Sequence, residues 1–262
     1  METTTSADGS VIAYESSGNG RLLVCVSPAF GLRDVYAGLA DELADDYTVV
    51  RYDRRGRGDS TDAIAAVDVG SFEIAREVED LAAVLKAVGS EAALLGYSSG
   101  AQLALNAATA GLPIAQLALY EPPFRPGDDT VRTELVDKLI TQVAAGRPGD
   151  AVATFQIEGV GMPPEMVEGA RNSPMWPAME AIAQTVVYDA MLTSEPAPNE
   201  AMRTLDLPMI AIAGAETWPF LQGSTRFAAD AIAAASFLEV PGGANHHLDP
   251  VETAAALRTF LG

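Results

Sequence analysis

Short, continuous apolar runs alternate with amphipathic stretches along most of this chain, and that alternation narrows the possible folds more than any other feature. Arg21–Val26 (RLLVCV), Tyr47–Tyr52 (YTVVRY), Ala92–Gly96, Ile114–Tyr120 and Leu207–Ala213 (LPMIAIA) have the character of strands buried on both faces of a parallel sheet. Val11–Glu15 and Phe237–Val240 are expected to be further short strands. Between them, 3.6-residue spacing predicts helices over Arg33–Ala44, Ser71–Val88, Ala101–Ala110, Thr225–Ala235 and Val251–Leu261. Gly89 stops the second of these as a C′ glycine does. Alternation of this kind implies an α/β fold: a doubly wound, mostly parallel sheet with right-handed crossovers.

One interval breaks the rhythm. Residues 124–205 are helical in pattern, Met-rich and interrupted by Pro148, Pro163, Pro164, Pro174, Pro177, Pro196 and Pro198. The expected organisation is therefore a core of residues 1–123 and 206–262, with 124–205 as a helical cap over the carboxyl edge of the sheet. That edge is where open α/β sheets bind ligands. A length of 262 residues suits one such domain with its insertion.

Charge and composition exclude several classes. Lys and Arg total 16 against 36 Asp and Glu, a net charge of −20. Nucleic acids and anionic membrane surfaces need a basic face, so neither is an expected partner. The same charge weighs against a strongly anionic substrate. Two histidines and the single Cys25 leave no cluster for a metal, and no cofactor is expected. A lone cysteine rules out an internal disulfide and suits a reducing compartment. The start, METTTSADGS, has no leader pattern, and no apolar run reaches the roughly 18 residues that span a bilayer, so a cytoplasmic setting is expected.

Gly96-Tyr97-Ser98-Ser99-Gly100 lies between an expected strand and a small-residue helix. G-x-S-x-G in that context forms a sharp elbow that exposes the serine hydroxyl at the top of the sheet, which makes Ser98 the candidate nucleophile. The glycines are small because helix and strand must pass closely. The Ser99 N–H, at a helix N-terminus, can face a developing oxyanion. A proton acceptor must come from His246 or His247, since the chain has no other histidine.

With these features in place the chain resembles the α/β-hydrolase superfamily over nearly its whole length. Arg51-Tyr52-Asp53-Arg54-Arg55-Gly56-Arg57-Gly58-Asp59-Ser60 is similar to that family's YDxRGxGxS loop, read here as structural rather than as a phosphate site. Where the family has His-Gly after an early strand, this chain has Ser27-Pro28-Ala29-Phe30-Gly31. Pro28 carries no N–H, so the resemblance puts the second oxyanion donor on Ala29, with Phe30 next. It also puts the catalytic histidine on the loop after the last strand. His246 follows the small-residue run as the family histidine does, and His247 is the alternative.

The acid departs from the family pattern. Threonine (Thr217) stands in Gly214-Ala215-Glu216-Thr217 where the resemblance leads one to expect aspartate. Glu121, braced by Pro122 and Pro123 at a strand end, is the preferred acid, and Glu216 the alternative. A glutamate there is loosely similar to the fungal zearalenone-type lactone hydrolases in triad placement. Phe30, Tyr97, Met175, Trp176 and Trp218 are candidate pocket residues, with Met175 and Trp176 expected to face the serine, and no matched Arg/Lys pair is expected on the cap. The resemblance implies hydrolysis of a small-molecule ester or lactone by a monomer or homodimer. The alternatives are non-hydrolytic lyase, cyclase or C–C-cleaving chemistry on the same fold, or a small-molecule receptor.

Overall fold

In a computed structural model, which describes residues 1–89, 91–128 and 130–262, the apolar runs pair into one sheet. Strands β1 (Glu2–Thr5), β2 (Val11–Gly18), β3 (Arg21–Val26), β4 (Tyr47–Tyr52), β5 (Ala92–Tyr97), β6 (Ile114–Tyr120), β7 (Met209–Gly214) and β8 (Ala235–Val240) lie in the order β1-β2-β4-β3-β5-β6-β7-β8. β2 is antiparallel to both β1 and β4, and every pairing from β4 to β8 is parallel. β3 is flanked by β4 on one side and β5 on the other. The order reverses there, which opens a crevice at the carboxyl ends of those strands.

Consecutive residues are apolar because both faces are covered. Val24, Leu94 and Leu119 pack with α2 (Ile74–Val88), α3 (Ser99–Thr109) and α10 (Pro219–Ala231) on one side. Leu23, Leu95 and Ile212 pack with α1 (Ala37–Leu43) and α11 (Pro250–Leu261) on the other. β1 has no counterpart in the expectations. Its ETTT sequence is polar and mostly exposed, and its place is fixed by pairing to β2 at the sheet edge rather than by burial. The helix expected over Thr225–Ala235 instead starts at Pro219, a favourable first-turn residue, and Ala235 already belongs to β8.

Between β6 and β7 the chain runs through α4 (Thr133–Ala144), α5 (Pro148–Thr154), α6 (Pro164–Ala170), α7 (Trp176–Ala181), α8 (Thr185–Leu192) and α9 (Glu200–Arg203). Residues Phe155–Val160 continue α5 as a π-helical turn. Val152, Ala153, Val167, Trp176 and Ala183 give this insertion an apolar cluster of its own. Phe124, Leu192 and Met202 join the main core, so the insertion is anchored near both ends.

A buried charge cluster fastens the insertion between its ends. Arg54 donates from Nε and Nη2 to both Glu77 oxygens (2.7 and 2.6 Å) and from Nη1 to Asp189 on α8 (2.8 Å). Arg57 reaches the other Asp189 oxygen at 2.7 Å. All four side chains are at most 1% exposed. Two guanidiniums face two carboxylates, so the cluster is neutral. Removing one partner from such a set leaves an uncompensated buried charge. Asp189→Ala is therefore expected to lower stability by about 3–5 kcal/mol, read as a shifted midpoint in chemical denaturation. An unchanged midpoint would show that the cluster holds nothing in place.

Candidate active site

β5 ends where Ser98 turns into α3 at φ 56° and ψ −121°, a conformation that L-residues rarely adopt. Its N–H donates to the Tyr120 carbonyl of the neighbouring strand at 2.8 Å. The helix passes so close that a Cβ on Gly100 would lie 2.2 Å from the Val26 carbonyl oxygen, and one on Gly96 would lie 2.5 Å from the Ala101 Cα. Any larger residue at either place would push the elbow apart.

One strand over, Glu121 follows β6, also at positive φ (48°), and is wholly buried. Its N–H donates to Ile212 at 2.9 Å, which locks it to β7. Oε1 accepts the Gly214 N–H and Oε2 accepts the Thr217 hydroxyl, each at 3.0 Å. Oε2 also hydrogen-bonds His246 Nδ1. Thr217 thus supports the glutamate that faces the histidine. The sequence marked its position only by the absence of an aspartate. Glu216 is exposed, and its N–H is turned to the Gly242 carbonyl.

His246 sits on the loop after β8 at φ 65°, with its side chain 19% exposed. The Tyr97 hydroxyl donates to its carbonyl, and the rings of Tyr97 and Trp218 stand 5.1 and 5.9 Å from the imidazole. Burial first, then the Glu121 charge, push the Tyr97 phenol up, so it keeps the proton it donates. His247 is exposed and meets the fold through its carbonyl, which accepts from the Tyr120 hydroxyl at 3.1 Å. Of the two histidines, His246 is the one in contact with Glu121.

The loop after β3 closes a turn through Gly31 N–H to Pro28 O (3.0 Å), with Ala29 and Phe30 at its tip and Phe30 at φ 60°. Arg57 Nη1 holds the Pro28 carbonyl at 2.6 Å. Ser99, the first residue of α3, has an N–H without an intrahelical acceptor, and its hydroxyl donates to Asp189 at 2.8 Å.

Ala29, Phe30, Tyr97, Ser98, Ser99, Trp218 and His246 all line one cavity of about 490 Å³. The insertion supplies the facing wall, including Phe155, Gln156, Val160 and Met162 from the π-helical turn and its exit. Two expectations are corrected here. Met175 is a surface residue, 67% exposed, and Trp176 is 4% exposed and packed against α5 and α6. The Trp176 indole N–H donates to Glu180 at 2.8 Å, and Arg171 stands over its ring. Trp176 is spent inside the insertion and Met175 lies on its outer surface, so neither residue is on the cavity wall. The insertion also brings two arginines to that wall, Arg125 and Arg132, seven positions apart in sequence. Among the described residues no group of His, Cys, Asp and Glu could hold a metal, and no helix is long and apolar enough to cross a membrane.

Residues 23–256 match the model of the alpha/beta hydrolase family. An alpha/beta hydrolase from Sphaerobacter thermophilus DSM 20745 is 38% identical with a TM-score of 0.88, each chain covered in full. The esterase RhEst1 from Rhodococcus sp. ECU1013 has the same fold at 24% identity and a TM-score of 0.67, covering 99% of this chain and 98% of that one. A 104-residue stretch is 32% identical to the uncharacterised hydrolase YraK of Bacillus subtilis (strain 168), spanning 39% of this chain and 37% of that relative.

The placement of Trp176 has a measurable consequence. Trp176→Ala is expected to cost about 3–5 kcal/mol of stability, as for truncation of a buried large aromatic. It should leave ligand discrimination in the cavity as it is. A changed ligand preference with an unshifted unfolding midpoint would return Trp176 to the cavity wall.

Proposed function

Because the chain belongs to the alpha/beta hydrolase family, we propose that it is a serine hydrolase that opens a carboxylic ester or lactone of a small, mainly apolar molecule through an acyl-enzyme on Ser98. The observation that carries this reading is the Glu121–His246 hydrogen bond on a loop that lines the same cavity as the strained Ser98.

Glu121 accepts from Nδ1, which fixes the tautomer and leaves Nε2 as the proton acceptor. His246 takes the Ser98 proton as the hydroxyl oxygen attacks the substrate carbonyl. The N–H groups of Ser99 and Ala29 receive the charge that builds on the carbonyl oxygen. The imidazolium, stabilised by the Glu121 carboxylate, returns its proton to the leaving alcohol. A water molecule, deprotonated by His246, then hydrolyses the acyl-enzyme and frees the acid. Residues 124–205 act as the cap that selects the substrate, with the π-helical wall as its contact surface, and the cytoplasm is the setting proposed for this chemistry.

Ser98→Ala is expected to lower kcat on p-nitrophenyl esters by roughly 10⁶, as loss of a nucleophile does in a Ser-His-Asp enzyme. A fluorophosphonate probe should modify Ser98 alone. Steady turnover by the variant would end the proposal. A stoichiometric burst without turnover in the wild type would favour a receptor instead. Measured beside it, Glu121→Gln should lose on the order of 10⁴ in kcat, because the imidazole forfeits its anionic partner. Glu216→Gln should stay within about tenfold of wild type, since an exposed carboxylate contributes little. The reverse ranking would move the acid to Glu216.

A further inference from the structure

The cavity that Ser98 lines also carries a cation that makes no ion pair among the described residues. Arg132 precedes α4 and is half-buried. Its Nη1 donates to the carbonyls of Glu158 (3.1 Å) and Gly159 (2.7 Å), which positions the guanidinium against the π-helical turn. Nε and Nη2 have no partner among the described residues, and no described carboxylate lies within ion-pair distance of it. The neighbouring Arg125 is committed elsewhere. It holds Asp128 (3.1 Å) and the carbonyls of Thr193, Thr130 and Ser194 (2.8 Å each). The Glu158 carboxylate is engaged by Lys138 on the outer surface. Two guanidiniums thus share one carboxylate here among the described residues. Carbonyl oxygens satisfy donors but do not neutralise charge.

We propose that Arg132 is an anion subsite that receives a free carboxylate of the substrate, so that the esters or lactones opened at Ser98 carry one. This inference rests on the hydrolase reading above. A planar guanidinium whose Nε and Nη2 donors have no partner among the described residues matches a carboxylate in a forked pair. A phosphate monoester dianion brings a second charge for which the wall holds no second free cation among the described residues. The net charge of −20 opposes anions at long range. At contact distance the local cation decides, because salt screens the distant charges and the cavity wall does not screen the near one. Burial first, and then the Arg125 charge, push the Arg132 guanidinium down from its ordinary value, and the charge of a bound carboxylate would act against both.

The test uses the full-length chain and two matched substrate pairs. Mono-p-nitrophenyl glutarate against p-nitrophenyl pentanoate places the carboxylate on the acyl arm. Carboxymethyl butyrate against ethyl butyrate places it on the alcohol arm. The quantity read is the ratio of kcat/KM, charged over neutral, within each pair. Because both substrates see the same preparation, the ratio is insensitive to the folded fraction. In Arg132→Gln the ratio should fall on the order of 10- to 100-fold in one pair, chiefly through KM, as expected for a lost charge-assisted hydrogen bond. Arg132→Lys should give an intermediate ratio, since it keeps the charge but not the fork. Lys138→Gln, which removes an exposed cation from the outer face, should keep the wild-type ratio. A wild-type ratio in Arg132→Gln for both pairs overturns the subsite. An equal fall in Lys138→Gln overturns it as well, because it reduces the effect to general field. If the wild type turns over none of the four substrates, the hydrolase reading fails and the subsite falls with it.

Discussion

Asp189 accepts hydrogen bonds from Arg54, Arg57 and Ser99 at 2.8, 2.7 and 2.8 Å, and those three donors come from two separate stretches of the core. Burial alone would push its carboxyl up, but the Arg57 and Arg54 guanidiniums outweigh that and hold it below the usual carboxylate range. The arginines extend the grip. Arg57 takes the carbonyl of Pro28 (2.6 Å), and Arg54 that of Ser27 (3.2 Å), so the turn carrying Ala29 and Phe30 is hung from the same cluster. One carboxylate on an insertion helix thus sets where the insertion sits, how α3 begins and how the β3 loop turns. The two N–H groups proposed to receive the oxyanion belong to these segments. A shift of α8 would be felt at both.

The second constraint is local strain. Among the described residues, the non-glycine positions at positive φ are Phe30, Ser98, Glu121, Asn245 and His246. All five lie on loops at the carboxyl edge, and four of them line the cavity or meet the imidazole. Each such conformation costs about 1–3 kcal/mol and persists only where the surroundings over-determine it. The surroundings are visible for four of the five. Strand pairing fixes Ser98 and Glu121, the Pro28–Gly31 turn fixes Phe30, and tyrosine hydroxyls hold the carbonyls of His246 and of the residue after it. The sheet interior, where packing is ordinary, provides the stability against which these loops are held.

The two walls of the cavity are built on different principles. The core wall consists of strand ends whose positions follow from the sheet register. The insertion wall depends on a π-helical turn and on an arginine that reaches back across a loop. Its electrostatics run against those of the molecule as a whole. A chain of net charge −20 presents a guanidinium to the cavity because composition averages over a surface, whereas a site is set by the few groups within contact distance.

What could be read from the amino-acid order alone were the features with a short-range physical signature. Two-sided burial of the strands gave continuous apolar runs. The G-x-S-x-G elbow marked Ser98 because only glycine fits where α3 crosses β3 and β5. The histidine count left two candidates for the base. The polar edge strand β1 left no signature, because its hydrogen bonds to β2 replace the burial that a pattern can reveal. Long-range pairing was equally silent. Placing Thr217 against Glu121 joins residues 96 positions apart, and His246 with Glu121 joins residues 125 apart. Trp176 and Arg132 have unremarkable neighbours in sequence, yet one is buried inside the insertion and the other lines the cavity. Which face of an amphipathic helix is spent on its own cluster, and which side chain reaches a shared cavity, depends on how helices from distant segments cross. Tertiary packing decides that crossing, and the order of residues within any one helix does not encode it.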